Sequence, residues 1–205
     1  MNLTSINQSL GQGLTPLSLR VALVLCLASS LLSAATIDDL QFTLINGDTE
    51  YAVSAVDPTS IAGAVDIPAT YNGKAVTEIG RLGFGVEDDE TDRPDITSVT
   101  LPTSIRTIGD YSFNQCRALT SVVLPDSLTS IGIGAFSYCT SLTSIVLPNS
   151  ITVIEMQTFF GCHALISVVL PDSLTSIGAH AFYNCHALTS IILPASLTEL
   201  WLTCR

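Results

Sequence analysis

The fold of this chain is decided by one stretch, Leu119-Thr120-Ser121-Val122-Val123-Leu124-Pro125-Asp126-Ser127-Leu128-Thr129-Ser130-Ile131-Gly132. The same stretch returns with small changes from Leu142, Leu165 and Leu188, which is a period of 23 residues. A repeat of this length indicates one supersecondary unit that stacks on its copies, because a single unit cannot bury its own apolar face.

Each unit predicts one short strand that ends at a proline. Val122 and Leu124 point to one face of this strand and Ser121 and Val123 to the other, because side chains alternate between faces. Pro125 has no backbone N–H to donate and therefore ends the ladder. Strands of successive units are expected to lie parallel, about 4.8 Å apart, in a curved right-handed coil.

The repeat resembles the BspA-like leucine-rich repeat family, whose unit has the pattern Leu-x-x-Ile-x-Leu-Pro-x-x-Leu-x-x-Ile-Gly-x-x-Ala-Phe-x-x-Cys. Residues 96–200 match this pattern, with local departures such as Glu155 in place of the glycine after Ile154. The resemblance implies a leucine-rich repeat solenoid with a parallel concave β-sheet, short turns, and irregular or short helical convex segments. It also implies export, since BspA-like proteins are typically exported, and several of them are adhesins for host matrix proteins or other cells.

The chain divides by composition and by repeat register into five segments. Asn46-Gly47-Asp48, between two apolar alternating runs, predicts a β-hairpin that caps the first repeat. The expected segments are a signal peptide (1–35), an N-terminal β cap (36–64), a degenerate first repeat with an acidic insert (65–95), regular repeats (96–200) and an irregular C-terminal end (201–205).

The first 35 residues have the features of a secretory signal. Arg20 precedes an apolar run that is short for a membrane span, and small residues at Ser33 and Ala35 predict cleavage before Thr36. The bulky Leu25 before Cys26 argues against a lipid-attachment site. We therefore expect a secreted or cell-surface protein with no membrane insertion after cleavage.

The charge of the chain excludes two classes of partner. It carries 18 acidic and only 7 basic residues, a net charge of −11, so it offers no basic surface to nucleic acid or to anionic membranes. Serine-nucleophile, zinc-protease, Cys-x-x-Cys and phosphate-loop motifs are absent from the sequence. We therefore expect no enzymatic activity and no cofactor.

Four of the six cysteines recur in register with the repeat. Disulfides between neighbouring units are disfavoured because parallel Cβ vectors do not fit the geometry of the bridge. A linear stack does not converge on a metal either, whereas a buried thiol packs as a small apolar side chain. We predict a structural column formed by Cys116, Cys139, Cys162 and Cys185.

Two further groups of polar residues could be either metal ligands or parts of solvent-exposed loops. His163 and His186 lie one unit apart and could share a metal, but two ligands make a weak site. The acidic run from Glu87 to Asp95 could hold calcium, but it lacks the spacing of an EF-hand loop. Solvated loops are the favoured interpretation of both, and no metal site is assigned.

The outward positions of the strands form two stripes with no charged and no aromatic side chain. A continuous exposed apolar stripe marks an interaction site, although strand propensity alone also favours Val and Ile there. The candidate binding residues on the concave face are Ser121, Val123, Ser144, Val146, Ser167, Val169, Ser190 and Ile192.

The favoured function is an adhesin-like module that binds an extracellular or surface protein, still unidentified, through the concave face. The alternative is a structural or targeting part of a longer secreted protein whose active domain is absent here. The oligomeric state is open.

Overall fold

The computed structural model describes residues 34–87 and 95–201. They form a short 3₁₀ helix, Ile37–Asp39, and fourteen strands. The strands are β1 (Leu40–Ile45), β2 (Glu50–Ala55), β3 (Ala62–Asp66), β4 (Thr70–Tyr71), β5 (Lys74–Ile79), β6 (Asp95–Thr100), β7 (Thr107–Ile108), β8 (Ser121–Val123), β9 (Ser130–Ile131), β10 (Ser144–Val146), β11 (Val153–Ile154), β12 (Ser167–Val169), β13 (Ser176–Ile177) and β14 (Glu199–Leu200).

Two parallel sheets run along the stack. The concave sheet contains β3, β6 and β8 in this order and continues with the pair β10 and β12. The lateral sheet contains β2, β5, β7 and β9 and continues with β11, β13 and β14. Strands one unit apart pair in register, for example Val99 with Val122 and Ile145 with Val168. The predicted solenoid with a parallel sheet is confirmed.

The 23-residue period divides the regular part into coil 1 (96–118), coil 2 (119–141), coil 3 (142–164), coil 4 (165–187) and coil 5 (188–201). A column of stacked phenylalanines runs through the core, with successive ring centroids between 5.4 and 5.7 Å apart. Burying such a side chain stabilises the fold by about 1.5–3 kcal/mol. The column consists of Phe84, Phe113, Phe136, Phe159 and Phe182.

The convex side consists of turns. Of the two predicted forms, irregular or short helical, it therefore has the irregular one. In the turn of each full coil two residues have positive φ. This backbone conformation interrupts a right-handed helix. These residues are Tyr111 and Gln115, Gly134 and Tyr138, Gln157 and Gly161, and His180 and Asn184.

The N-terminal β-hairpin cap is present as predicted. β1 and β2 pair antiparallel from Leu40 with Ala55 to Ile45 with Glu50, and the turn between them carries positive φ at Asn46, Gly47 and Asp48. β2 then pairs with β5 in parallel, so the hairpin joins the edge of the lateral sheet.

A cluster of three aromatic rings lies behind the hairpin cap. Phe42 stacks on Tyr71 with ring centroids 4.0 Å apart, and Tyr51 meets both rings edge-on. Edge-to-face and stacked pairs of this kind add about 0.5–1.5 kcal/mol beyond the area they bury. The cluster fastens β1 and β2 to the first, degenerate repeat.

Several predictions fall on parts of the chain outside the described residues. These are the signal peptide up to Ser33, most of the acidic insert (88–94) and the C-terminal end beyond Trp201. Within 34–87 and 95–201, no helix is long and apolar enough to cross a bilayer.

Candidate functional site

The apolar stripe of the concave sheet faces outward and is uncovered. Val123, Val146, Val169 and Ile192 are 79%, 61%, 53% and 88% exposed. Their neighbours along the strands, Val122 and Ile145, are buried in the core, as the alternation of a strand requires. Residues 190–192 of coil 5 form no strand.

The hydroxylic stripe runs beside the apolar one. Ser121, Ser144, Ser167 and Ser190 are all exposed. All eight candidate binding residues therefore lie on the outer surface, where they form an uncharged strip along coils 2 to 5. Whether this strip binds a partner stays a prediction.

Two grooves border the strip, and their edge is acidic. The first, of about 330 Å³, lies between β8 and β10 and is lined by Val123, Val146 and Asp126 among others. The second, of about 290 Å³, lies beside β12 and adds Val169 and Asp172. The sequence did not indicate these two aspartates, because strand alternation does not define the direction of a side chain that follows Pro125 or Pro171.

The four repeat cysteines are free and buried in one column. Each thiol donates a hydrogen bond to a phenylalanine carbonyl of the preceding coil. The bonds run from Cys116 to Phe84 (3.4 Å), Cys139 to Phe113 (3.2 Å), Cys162 to Phe136 (3.1 Å) and Cys185 to Phe159 (3.1 Å).

Burial determines the chemistry of these thiols. It raises the pKa of Cys185 from its ordinary value of 9.0 to about 11, and it raises the pKa of Cys116, Cys139 and Cys162 further. The thiolate is the form that attacks and that binds metals. At neutral pH these cysteines are therefore poor nucleophiles, and they act in the structure as inter-coil donors.

The serines after each Leu-Pro pair form a second inter-coil ladder. Ser127 donates to the carbonyl of Ile105 at 2.7 Å, and Ser173 donates to Ile151 at 2.8 Å. Ser150 donates to Leu128 in the same way. Each bond links a turn to the preceding coil, so these serines position the acidic edge of the grooves.

The two candidate metal-binding histidines lie together in the turns that follow Cys162 and Cys185. The rings of His163 and His186 stack with centroids 5.2 Å apart and planes 20° from parallel, and both side chains are exposed. Within 34–87 and 95–201, no group of three or more His, Cys, Asp or Glu could hold a metal ion. The pair therefore supplies two ligands at most from this part of the chain.

The stacked coils, the two parallel sheets and the buried Leu-Phe-Cys core define a leucine-rich repeat solenoid. The sequence profile of the BspA type leucine rich repeat region matches residues 91–204 in six copies. The chain belongs to this family. Leucine-rich repeat proteins of this kind are typically non-enzymatic modules that interact with other proteins.

Solved structures with the same fold are similar to this chain. The pneumococcal vaccine antigen PcpA aligns with a TM-score of 0.62 and 24% identity, over 82% of this chain and 46% of that one. A leucine rich cell surface protein from Faecalibacterium prausnitzii aligns with a TM-score of 0.56 and 26% identity, over 82% and 50%. The chain spans about half the length of these two proteins. No curated protein matches it.

Proposed function

We propose that the protein is an exported, adhesin-like module that binds an extracellular or surface protein through the concave sheet. The observation that carries this proposal is the uncovered stripe of Val123, Val146, Val169 and Ile192. In four successive coils a β-branched side chain is more than half exposed to water, which is unfavourable. Burying these side chains against a partner would be favourable.

Surface display is supported by the relatives and by the N-terminal sequence. The Faecalibacterium prausnitzii relative is a cell surface protein, and the first 35 residues have the pattern of a secretory signal. Cleavage before Thr36 would remove Ala35, whose N–H donates to the carbonyl of Ala64 at 2.9 Å. N-terminal sequencing of exported protein tests this step, and a start at an acylated Cys26 would contradict it.

The binding proposal is tested with a double variant of the concave stripe and a control variant of the lateral sheet. Val146→Lys with Val169→Lys changes the concave stripe, whereas Val153→Lys changes an exposed valine of the lateral sheet in the same coil as Val146. Both variants are incubated with extracellular matrix and cell-surface protein fractions, and captured proteins are identified by mass spectrometry.

A captured partner supports the proposal only if the double variant captures at least about tenfold less of it, while Val153→Lys captures as much as the parent protein. Equal melting temperatures of the variants show that the fold is intact, since all three side chains point away from the core. If the double variant still captures the partner, the concave face is not the binding site. Absence of any partner favours the alternative of a structural segment.

A further inference from the structure

The outer edge of the hairpin cap is an open sheet edge. The lateral sheet begins with β1, and among the described residues β1 pairs only with β2. The strand Leu40–Ile45 contains no charged residue and no proline, and its register with β2 has no bulge. Charged residues, prolines and bulges are the features that keep an edge strand from pairing with another chain. This edge therefore offers its backbone groups to a further strand.

The register with β2 determines which backbone groups are offered. The N–H of Val56 donates to the carbonyl of Asp39 at 2.8 Å, in register with the β1–β2 ladder. Because hydrogen-bonded and non-hydrogen-bonded pairs alternate in an antiparallel ladder, every second residue of β1 directs its N–H and C=O to the open edge. These residues are Leu40, Phe42 and Leu44. The N–H of Leu40 already donates to Ile37, which leaves two donors and three acceptors at the edge.

We propose that β1 pairs antiparallel with β1 of a second copy of this chain, about a two-fold axis at Phe42. In this register each Phe42 faces the other, and each Leu40 faces Leu44 of the second copy. Four hydrogen bonds would cross the axis, two between the Phe42 residues and one from each Leu44 N–H to the Leu40 carbonyl opposite. The contact is isologous, as is usual for homodimers.

The side chains of β1 favour the same pairing. Leu40, Phe42 and Leu44 share one face of the strand because side chains alternate. Leu40 is buried, Phe42 is half-buried against Tyr71, and Leu44 is 40% exposed. In the paired strands Leu44 would pack beside the buried Leu40 of the second copy, and the two Phe42 rings would meet at the axis. Removing these apolar side chains from water favours association.

Charge selects the register. Each copy carries a net charge of −11, so a stable pair has to keep carboxylates apart. With the axis at Phe42, Asp38 faces Asn46 and no carboxylate faces another. Moving the axis by one residue would set Asp38 opposite Leu44 in one direction and opposite Asp48 in the other.

The pairing does not depend on the proposed concave-face function, because β1 belongs to the lateral sheet. It has a consequence for that function, since a dimer carries two concave strips. Two linked binding sites hold a multivalent surface more tightly than one site does.

Sedimentation equilibrium of the purified protein tests the association. The interface is small, so the monomer should convert to a weak dimer as the concentration rises. Leu44→Pro removes an outward N–H and no bond to β2, so it should weaken dimerisation at least about tenfold. Ile192→Pro changes an exposed residue of coil 5 that lies in no strand, and it should leave the dimer unchanged. Higher salt should strengthen the parent dimer, because it screens the repulsion between two acidic chains.

Cross-linking tests the register. Gln41 faces Thr43 of the second copy in a non-hydrogen-bonded pair, where Cα atoms are about 4.5 Å apart, which a disulfide can bridge. Gln41→Cys protein mixed with Thr43→Cys protein and oxidised glutathione should form covalent dimers at least about tenfold faster than either variant alone. Both side chains are exposed, so neither substitution disturbs the core. This test therefore stays decisive if Leu44→Pro fails to fold.

Three results would overturn the pairing. They are a parent protein that stays monomeric at every concentration, a dimer insensitive to Leu44→Pro, and cross-links that form as fast in either cysteine variant alone as in the mixture. If the β1 amides become protected from hydrogen exchange only when a cell-surface protein fraction is added, the edge binds a different protein and self-pairing is wrong. Concentration-dependent dimers that cross-link only in the mixture would establish it.

Discussion

The thiol of Cys139 donates a hydrogen bond to the backbone carbonyl oxygen of Phe113, 3.2 Å away in the preceding coil. The same oxygen accepts from the N–H of Cys116, also at 3.2 Å. Because the pattern repeats through Cys162 and Cys185, a cysteine at this position is a donor between coils as well as a small apolar side chain.

The first prediction separates these two contributions. Cys139→Ala removes volume and donor together, whereas Cys139→Ser removes volume and retains an O–H. Both should lower the free energy of unfolding, by about 1–3 kcal/mol, and Ala should cost more than Ser. Urea denaturation measures the difference. An alanine variant as stable as the serine variant would mean that packing alone selects cysteine here.

The second prediction concerns stability in alkali. The pKa of Cys185 is raised to about 11 by burial, while an unfolded thiol ionises near its ordinary 9.0. Above pH 9 the folded state therefore binds more protons, so this contribution is complete below pH 9 and is lost as the pH rises towards 11. Thermal unfolding should show a smaller decrease between pH 8 and 10.5 in Cys185→Ala than in the parent. Equal decreases would contradict the raised pKa.

The third prediction concerns a hydroxyl at a position that is alanine in coils 2 and 4. Ser112 is fully buried, and its Oγ has no hydrogen-bond partner among the described residues. Ser112→Ala should stabilise the protein by about 1 kcal/mol, because burying an unpaired hydroxyl is costly.

The control for this substitution is Thr158, which occupies the same position in coil 3. Its hydroxyl donates to the carbonyl of Glu155 at 2.8 Å, so Thr158→Ala should not stabilise. Chemical denaturation of the two variants gives the comparison. A loss of stability in Ser112→Ala would show that its hydroxyl has a partner after all.

The fourth prediction uses two glycines with similar positive φ. Gly161 has φ +69°, and a Cβ there would lie 2.8 Å from the ring of Tyr138; Gly47 has φ +64° and no atom within 4 Å of such a Cβ. Gly47→Ala should cost about 1–2 kcal/mol for the backbone alone. Gly161→Ala should cost about 1–3 kcal/mol more, from overpacking against the ring.

A second substitution checks the cause of that difference. Adding Tyr138→Ala to Gly161→Ala should recover the excess, as measured by a double-mutant cycle. No recovery would show that the ring is not the obstacle.

The repeat register was sufficient to predict the solenoid and the outward direction of Val123 and Val146. Both follow from strand alternation and from a period that brings equivalent residues of successive coils together. The hairpin cap was equally predictable, since Asn46-Gly47-Asp48 favours positive φ at each position.

Contacts between coils were beyond sequence reasoning. Glu155 was visible as a departure from glycine, but the sequence did not show that β9 and β11 lack backbone pairing at this junction. The partner of Ser127 lies 22 residues away in the preceding coil, and the direction of Asp126 depends on the turn after Pro125. Such details are fixed by three-dimensional packing.

The last prediction concerns the contacts that hold the hairpin cap to the coils and their loss at acidic pH. The carboxylate of Glu50 accepts hydrogen bonds from the side chain of Asn46 in the hairpin turn, from Thr77 at 3.1 Å and from Arg106 at 3.0 Å. These bonds, that of Asn46 first, lower the pKa of Glu50 below its ordinary 4.5. The stability it contributes is therefore present above pH 4.5 and lost as the pH falls through the lowered pKa.

Glu50→Gln should consequently lower stability at pH 7 and flatten its decrease between pH 5 and 3, with faster hydrogen exchange in β1 and β2 but not in coils 2 to 4. The matched control is Glu87, whose ion pair with Arg81 at 3.2 Å is exposed on both sides. Because exposed pairs contribute little, Glu87→Gln should change neither measurement. An acid profile of Glu50→Gln that follows the parent would mean that the cap is held by its aromatic cluster of Phe42, Tyr51 and Tyr71 alone.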